Sequence, residues 1–227
     1  MNIQGFQKMT LLDFPGAVAC TVFTGGCNLR CPFCHNADLV RTPTMYVNML
    51  PQVMEYLEKR KGLIDGVCVT GGEPLLQPDL QDFLKTVKEM GYRIKLDTNG
   101  SLPDKLSRIL KTGLVDYVAM DVKSSLTGYP IAIGGETDVA LFEESIHLLR
   151  NSNIEHEFRT TVVKGIHTPG DIEEIAELLA GEQRFFLQTF KDSGNLLESG
   201  YAAFSHAEMA AMLNTVKQYI PTAELRG

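Results

Sequence analysis

The chain has no run approaching the ~20 consecutive apolar residues that a membrane-spanning helix requires, and residues 1–7 carry no basic stretch followed by an apolar one. These absences point to a soluble, cytoplasmic protein with no membrane partner. Positive charge is also scarce, with 21 lysines and arginines against 28 aspartates and glutamates, a formal charge of -7 and a pI near 5.3. The basic residues are dispersed, so the positive field that nucleic-acid backbones demand is missing and nucleic acid is excluded as a partner. Repeats, low-complexity stretches and linkers are absent too. Cysteine is sparse, five in 227 residues. In a reducing compartment so few thiols serve metal binding or catalysis rather than disulfides.

A hydrophobic content of 44% suffices for one core, and a single domain over residues 1–227 is expected. After LLDFPG, strand-like runs alternate with helix-like segments to the end of the chain, the signature of βα units. Strands are expected at 17–24, 66–70, 93–98, 117–123, 155–163 and 184–190. Helices are expected at 45–61, 79–90, 103–111, 138–152, 171–180 and 205–219, with Gly62, Gly91, Gly113 and Gly181 just past four of their ends. Six such units make either an open doubly wound sheet or an incomplete barrel. A closed eight-unit barrel takes ~250 residues, and this chain spends many on loops after the first and fourth strands. The expected fold is therefore α/β, a partial (β/α)6 TIM-like barrel that is laterally open. In either architecture the chemistry sits at the C-terminal ends of the strands.

Cys20 in VACTVF and Cys68 in GVCVTG lie inside β-branched runs and read as small core residues. The other three cysteines crowd into TGGCNLRCPFCHN as Cys27, Cys31 and Cys34, spaced C-x3-C-x2-C. Gly25 and Gly26 allow the tight turn that brings three thiolates to one metal centre. Structural zinc would want a fourth protein ligand, and His35, next to Cys34, is poorly placed to supply it. A cubane held by three thiolates instead leaves one iron open to an outside ligand. After the second strand comes TGGEP, which alone reads as a tight turn before a helix. The third and fourth strands end in LDTNG and AMDVK, placing Asp97 and Asp121 at the same end of neighbouring strands. Loop capping is the plain reading, since Asn99-Gly100 is a turn signal, yet two close carboxylates need a cation or a shared proton.

The cysteine spacing resembles that of the radical S-adenosylmethionine (SAM) superfamily. That resemblance implies a [4Fe-4S] cluster whose open iron is chelated by the amino and carboxylate groups of SAM, and reductive cleavage of SAM to a 5'-deoxyadenosyl radical. Gly71, Gly72 and Glu73 match the superfamily's GGE element, whose polar groups accept hydrogen bonds from the SAM amino group. LDTNG and MDVK resemble elements of the pyruvate formate-lyase activating enzyme and its relatives. In those, two aspartates, a threonine and a backbone carbonyl hold a monovalent cation beside the SAM carboxylate, which implicates Asp97, Thr98, Asp121 and the Ala119 carbonyl. Arg159 in FRTTVVKG matches an arginine that contacts SAM, and Lys123 is a candidate on the same grounds. One departure is LQTFKDSG, where the relative has a PYH-like sequence. Gln188 or Phe190 stands there, so that adenosine contact does not carry over. No catalytic side chain is implied beyond the cluster and SAM.

Over nearly its whole length the chain most resembles the short activating proteins assigned to anaerobic ribonucleoside-triphosphate reductase. The resemblance implies removal of hydrogen from the Cα of a glycine in a partner glycyl-radical enzyme, here anaerobic ribonucleotide reductase. Too few cysteines remain for a second cluster, and no flavin motif is visible, so a low-potential electron donor such as flavodoxin or ferredoxin is expected. Two alternatives stay open. One is a small-molecule radical SAM enzyme resembling carboxy-deazaguanine synthase, and the other a non-enzymatic iron-sulfur carrier. The loops at 124–138 and 191–201 are expected to contact the partner, with Gly134 and Gly135 as a hinge.

Overall fold

Parallel strands covered on both faces read as continuous β-branched runs, and GVCVTG is such a run, its first four residues fully inside the core. In the computed structural model, which describes residues 1–41 and 47–227, eight strands form one sheet. They are β1 (Ile3–Thr10), β2 (Ala19–Thr24), β3 (Gly66–Gly71), β4 (Arg93–Thr98), β5 (Tyr117–Asp121), β6 (Glu155–Val162), β7 (Phe185–Thr189) and β8 (Glu224–Arg226), in that spatial order. β1 runs antiparallel to β2, and every later neighbour is parallel. β1 and β8 are the two edges, so the sheet is open. The six expected strands are β2 to β7.

Helices cover the outer face: α1 (Ala37–Arg41), α2 (Leu50–Lys59), α3 (Leu80–Glu89), α4 (Pro103–Lys111), α5 (Tyr129–Ile133), α6 (Ala140–Arg150), α7 (Pro169–Leu178) and α8 (His206–Val216). α3 shows the reason, burying Leu80, Phe83, Leu84 and Val87 at one-face spacing. α7 and α8 begin with reciprocal capping boxes, Thr168 with Asp171 and Ser205 with Glu208. No helix among the described residues is long and apolar enough to cross a membrane.

Two strands and two helices were not expected. β1 (IQGFQKMT) is an edge strand whose Gln7, Lys8 and Met9 are exposed, so it shows no alternation to read. β8 has three residues. α1 and α5 have five each, too short for a helical period to show. The expected helix at 45–61 begins partly outside the described residues, and α2 starts at Leu50.

Candidate functional site

A cavity of about 430 Å³ opens at the C-terminal ends of the parallel strands. Cys27, Cys31 and Cys34 line it from the loop after β2, Gly71 and Gly72 from the end of β3, and Asp97, Thr98, Asp121, Lys123 and Arg159 from β4 to β6 and their ends. Ten of the expected residues thus meet in one place.

The cysteine loop is pinned by its main chain. Gly26 N–H donates to Leu39 O at 2.9 Å, the Gly26 carbonyl accepts from Glu73 N–H at 2.8 Å, and Arg30 N–H donates to Ile133 O at 3.0 Å. A side chain at Gly72 would place its Cβ 1.9 Å from the Gly26 oxygen. Glycine is required there because the two loops touch backbone to backbone. Burial pushes the Cys31 thiol up to about 12 and raises Cys27 and Cys34 as well, with Lys123 the principal charge opposing it at Cys31. Such thiols stay protonated until a metal centre takes the proton's place. Among the described residues no three Cys, His, Asp or Glu side chains converge closely enough for one metal ion. Three thiols on one short loop suit a polynuclear cluster with each thiolate on its own iron. Tetrahedral structural zinc would want a fourth protein ligand. His35 lies on the cavity wall against the ring of Phe190, centroids 5.6 Å apart.

Glu73 is placed differently from expectation. Its side chain is 0% exposed, and both oxygens are engaged within the fold. Oε1 accepts from Leu75 N–H and Thr98 Oγ1–H, each at 3.0 Å, and Oε2 accepts from Asn99 N–H at 2.7 Å. The carboxylate therefore ties the TGGEP turn to the end of β4, and the groups left facing the cavity are the backbones of Gly71 and Gly72. Burial raises its pKa to about 7, against the pull of those three hydrogen bonds.

Asp97 and Asp121 are joined by a side chain rather than separated by a gap. Arg159 donates from Nη1 to Asp97 Oδ2 at 3.2 Å and from Nε to Asp121 Oδ1 at 2.8 Å. The outer oxygens are taken by Lys95 on Asp97 and by Lys123 on Asp121, the latter at 3.0 Å. The result is a ladder Lys95–Asp97–Arg159–Asp121–Lys123, with three cations over two anions. Burial alone would raise both carboxyls, yet Arg159 and the flanking lysines outweigh it and hold them below the ordinary range. The Thr98 hydroxyl is committed to Glu73, and Ala119 is buried opposite Asp97 in the β4–β5 register. Neither aspartate needs a further cation for charge balance.

Lys123 is itself fixed from three sides, by Asp121, by His167 Nε2–H donating to its carbonyl at 2.8 Å, and by its own N–H donating to Tyr129 Oη at 3.2 Å. Cys68 is fully buried as expected, but its Sγ lies 3.9 Å from both Lys95 Nζ and Asp97 Oδ1. Lys95 and Asn99 were not among the expected residues. The signal for Lys95 was strand alternation, since a residue two before Asp97 faces the same side.

The late loops pack on the cysteine loop. Gly134 caps α5 at φ +71, and a Cβ there would meet Arg30 O at 2.4 Å, so a close approach to the cysteine loop requires glycine there. From the 191–201 segment, Glu198 N–H donates to Pro32 O at 2.9 Å, and Arg41 reaches the Leu196 and Leu197 carbonyls at 2.6 and 2.8 Å.

The open β/α sheet thus brings three cysteines and a glycine turn together at its strand ends. Residues 21–179 match the Radical SAM superfamily, and the chain belongs to it. It is 31% identical over 196 residues to a Methanocaldococcus jannaschii protein provisionally named a glycyl-radical enzyme activating enzyme, covering 83% of this chain and 80% of that one. It is 36% identical over 130 residues to the pyruvate formate-lyase-activating enzyme of Clostridium pasteurianum, covering 54% and 52%. It is 35% identical over 143 residues to a 7-carboxy-7-deazaguanine synthase of Methanopyrus kandleri, covering 54% and 54%. The chain spans about half the length of these last two. SuiB of Streptococcus suis bound to S-adenosylmethionine shares the fold, with a TM-score of 0.72 over 90% of this chain and 49% of that one at 15% identity.

Proposed function

We propose that residues 1–227 act as one radical SAM domain that activates a glycyl-radical enzyme in the cytoplasm, with anaerobic ribonucleotide reductase as the partner. The carrying observation is the 31% identity, over 83% of this chain, to a protein provisionally named a glycyl-radical enzyme activating enzyme; it is joined by the direct backbone contact between the cysteine loop and the Gly71-Gly72 turn, beside a half-buried ladder with one more cation than anion. Cys27, Cys31 and Cys34 would hold a [4Fe-4S] cluster, and a low-potential donor such as flavodoxin or ferredoxin would reduce it. When bound, cluster and SAM together supply a 5'-deoxyadenosyl radical able to take a hydrogen atom from a glycine Cα.

The chain's own residues bind, orient and exclude water. The Gly71 and Gly72 backbones, unobstructed by side chains, suit the SAM amino group. Glu73 holds that turn in place from behind. Lys123 and Arg159 offer positive charge to the SAM carboxylate, while Asp97 and Asp121 fix where those cations point. A monovalent cation beside SAM is part of this reading through Asp97, Thr98, Asp121 and Ala119, and it would have to compete with Arg159 for the two carboxylates.

A second reading is kept for one observation, the match to the deazaguanine synthase, which would put a small molecule in the cavity. Mixing reduced protein, SAM and the reductase without oxygen separates the two. A glycyl radical on the reductase, seen by electron paramagnetic resonance in step with deoxyadenosine, supports the activase. Deoxyadenosine formed in step with loss of a small metabolite, with the reductase silent, replaces it with the second reading.

A further inference from the structure

Three cysteines face the cavity, but their sulfurs are not equivalent. Cys27 Sγ has two N–H donors in reach, Leu29 N at 3.5 Å and Asn99 Nδ2 at 3.7 Å. Among the described residues it alone of the three has a side-chain donor. Asn99 is 6% exposed, and its orientation is set by a closed polar ring. The amide oxygen accepts from Ser101 N–H at 2.9 Å and from the Ser101 hydroxyl at 2.6 Å. The amide nitrogen donates to Asn28 Oδ1 at 3.1 Å, and Asn28 Nδ2 donates back to Ser101 Oγ at 2.8 Å. Turning the amide over would set its oxygen against Asn28 Oδ1 and its nitrogen against two donors, so the N–H is committed to the sulfur side. The Asn99 backbone N–H is meanwhile anchored on Glu73.

A turn at Asn99-Gly100 accounts for the oxygen, because an Asn side chain accepting from the N–H two residues on is an ordinary turn device. It does not account for the nitrogen. We infer that Asn99 is a positioning residue whose side-chain N–H is aimed at Cys27 Sγ to raise the reduction potential of the cluster. The physical basis is that adding an electron increases the negative charge shared by iron and its thiolates, and hydrogen bonds to the sulfurs stabilise that charge. A cluster that must accept an electron from a low-potential donor benefits directly. The inference rests on the cluster reading of Cys27, Cys31 and Cys34, and is independent of the partner's identity.

The test is a redox titration of anaerobically reconstituted protein, with mediators and a low-potential chemical reductant, followed by electron paramagnetic resonance. Asn99→Asp keeps the acceptor that Ser101 uses and removes the donor. Asn99→Ala removes both. Both should be harder to reduce than wild type, by about a tenfold lower reduced-to-oxidised ratio at a fixed potential, equal to about 59 mV for a one-electron couple. Ser101→Ala should show a smaller shift of the same sign, and Ser101→Thr, which keeps the hydroxyl, should restore the wild-type value. If Asn99 only shapes the turn, Asn99→Ala will lower thermal stability while both Asn99 variants titrate like wild type, and the inference is overturned. A wild-type protein that takes up no iron removes the cluster reading and this inference together, whereas iron uptake with unchanged potentials removes the inference alone.

Discussion

The fold buries carboxylates in two contrasting ways at neighbouring strand ends. Beyond β3, Glu73 is surrounded by two backbone N–H groups and a hydroxyl, with no cation in contact among the described residues, and burial lifts it to about 7. At the ends of β4 and β5, Asp97 and Asp121 are half-buried on the cavity wall and clasped by Arg159, Lys95 and Lys123, and they stay ionised far into acid. Three neutral donors do not offset the desolvation of a carboxylate, whereas a cation in contact does. Glu73 is therefore a strut that tolerates neutrality, while the aspartates are parts of a fixed charge distribution facing the cavity.

The comparison breaks most severely at Arg159. Arg159→Met leaves two half-buried carboxylates adjacent, each held by one lysine only, and should destabilise the metal-free protein by about 1–3 kcal/mol in chemical denaturation. Both aspartates have folded pKa values below their ordinary 3.8, so their contribution is present above pH 3.8 and is lost as pH falls towards the folded values. The gap between wild type and Arg159→Met should therefore close in acid.

Glu73 has the opposite sign. Raised from 4.5 to about 7, it gives its full contribution below pH 4.5 and loses it as pH rises through 7, a change of about 3 kcal/mol. Glu73→Gln should flatten that part of the stability profile. An unchanged slope between pH 4.5 and 7 would mean that Glu73 is ionised throughout, like the aspartates.

The smallest effect belongs to Cys68. Its sulfur touches the ladder without completing it, so Cys68→Ala should cost about 1 kcal/mol and leave iron uptake unchanged, as should Cys20→Ala. Loss of iron in either would make them more than core residues.

What could be read in advance follows the same division between local and cross-strand features. β2 to β7 were legible because each is a short, largely buried run set between turn signals and helix-like segments. β1, with Gln7 and Lys8 on an exposed edge, carries no such pattern, and the three residues of β8 carry none at all. The cysteine loop, the Gly71-Gly72 turn and Asp97 announce themselves as contiguous motifs. The pairing of Arg159 with Asp121 depends on the β5–β6 register that sets them opposite each other, and no single segment encodes it. Asn99 was visible only as a turn residue, because its second role appears when the cysteine loop is laid against the end of β4.

Whether Cys27, Cys31 and Cys34 hold a cluster with one iron open to SAM beside this ladder is decided by anaerobic reconstitution followed by electron paramagnetic resonance of the reduced protein with and without SAM. The protein should take up about four irons per chain, show a cluster signal whose shape changes when SAM is added, and lose that signal when any of the three cysteines is replaced by alanine. A colourless protein carrying one zinc per chain, or a cluster signal indifferent to SAM, would contradict the cluster reading.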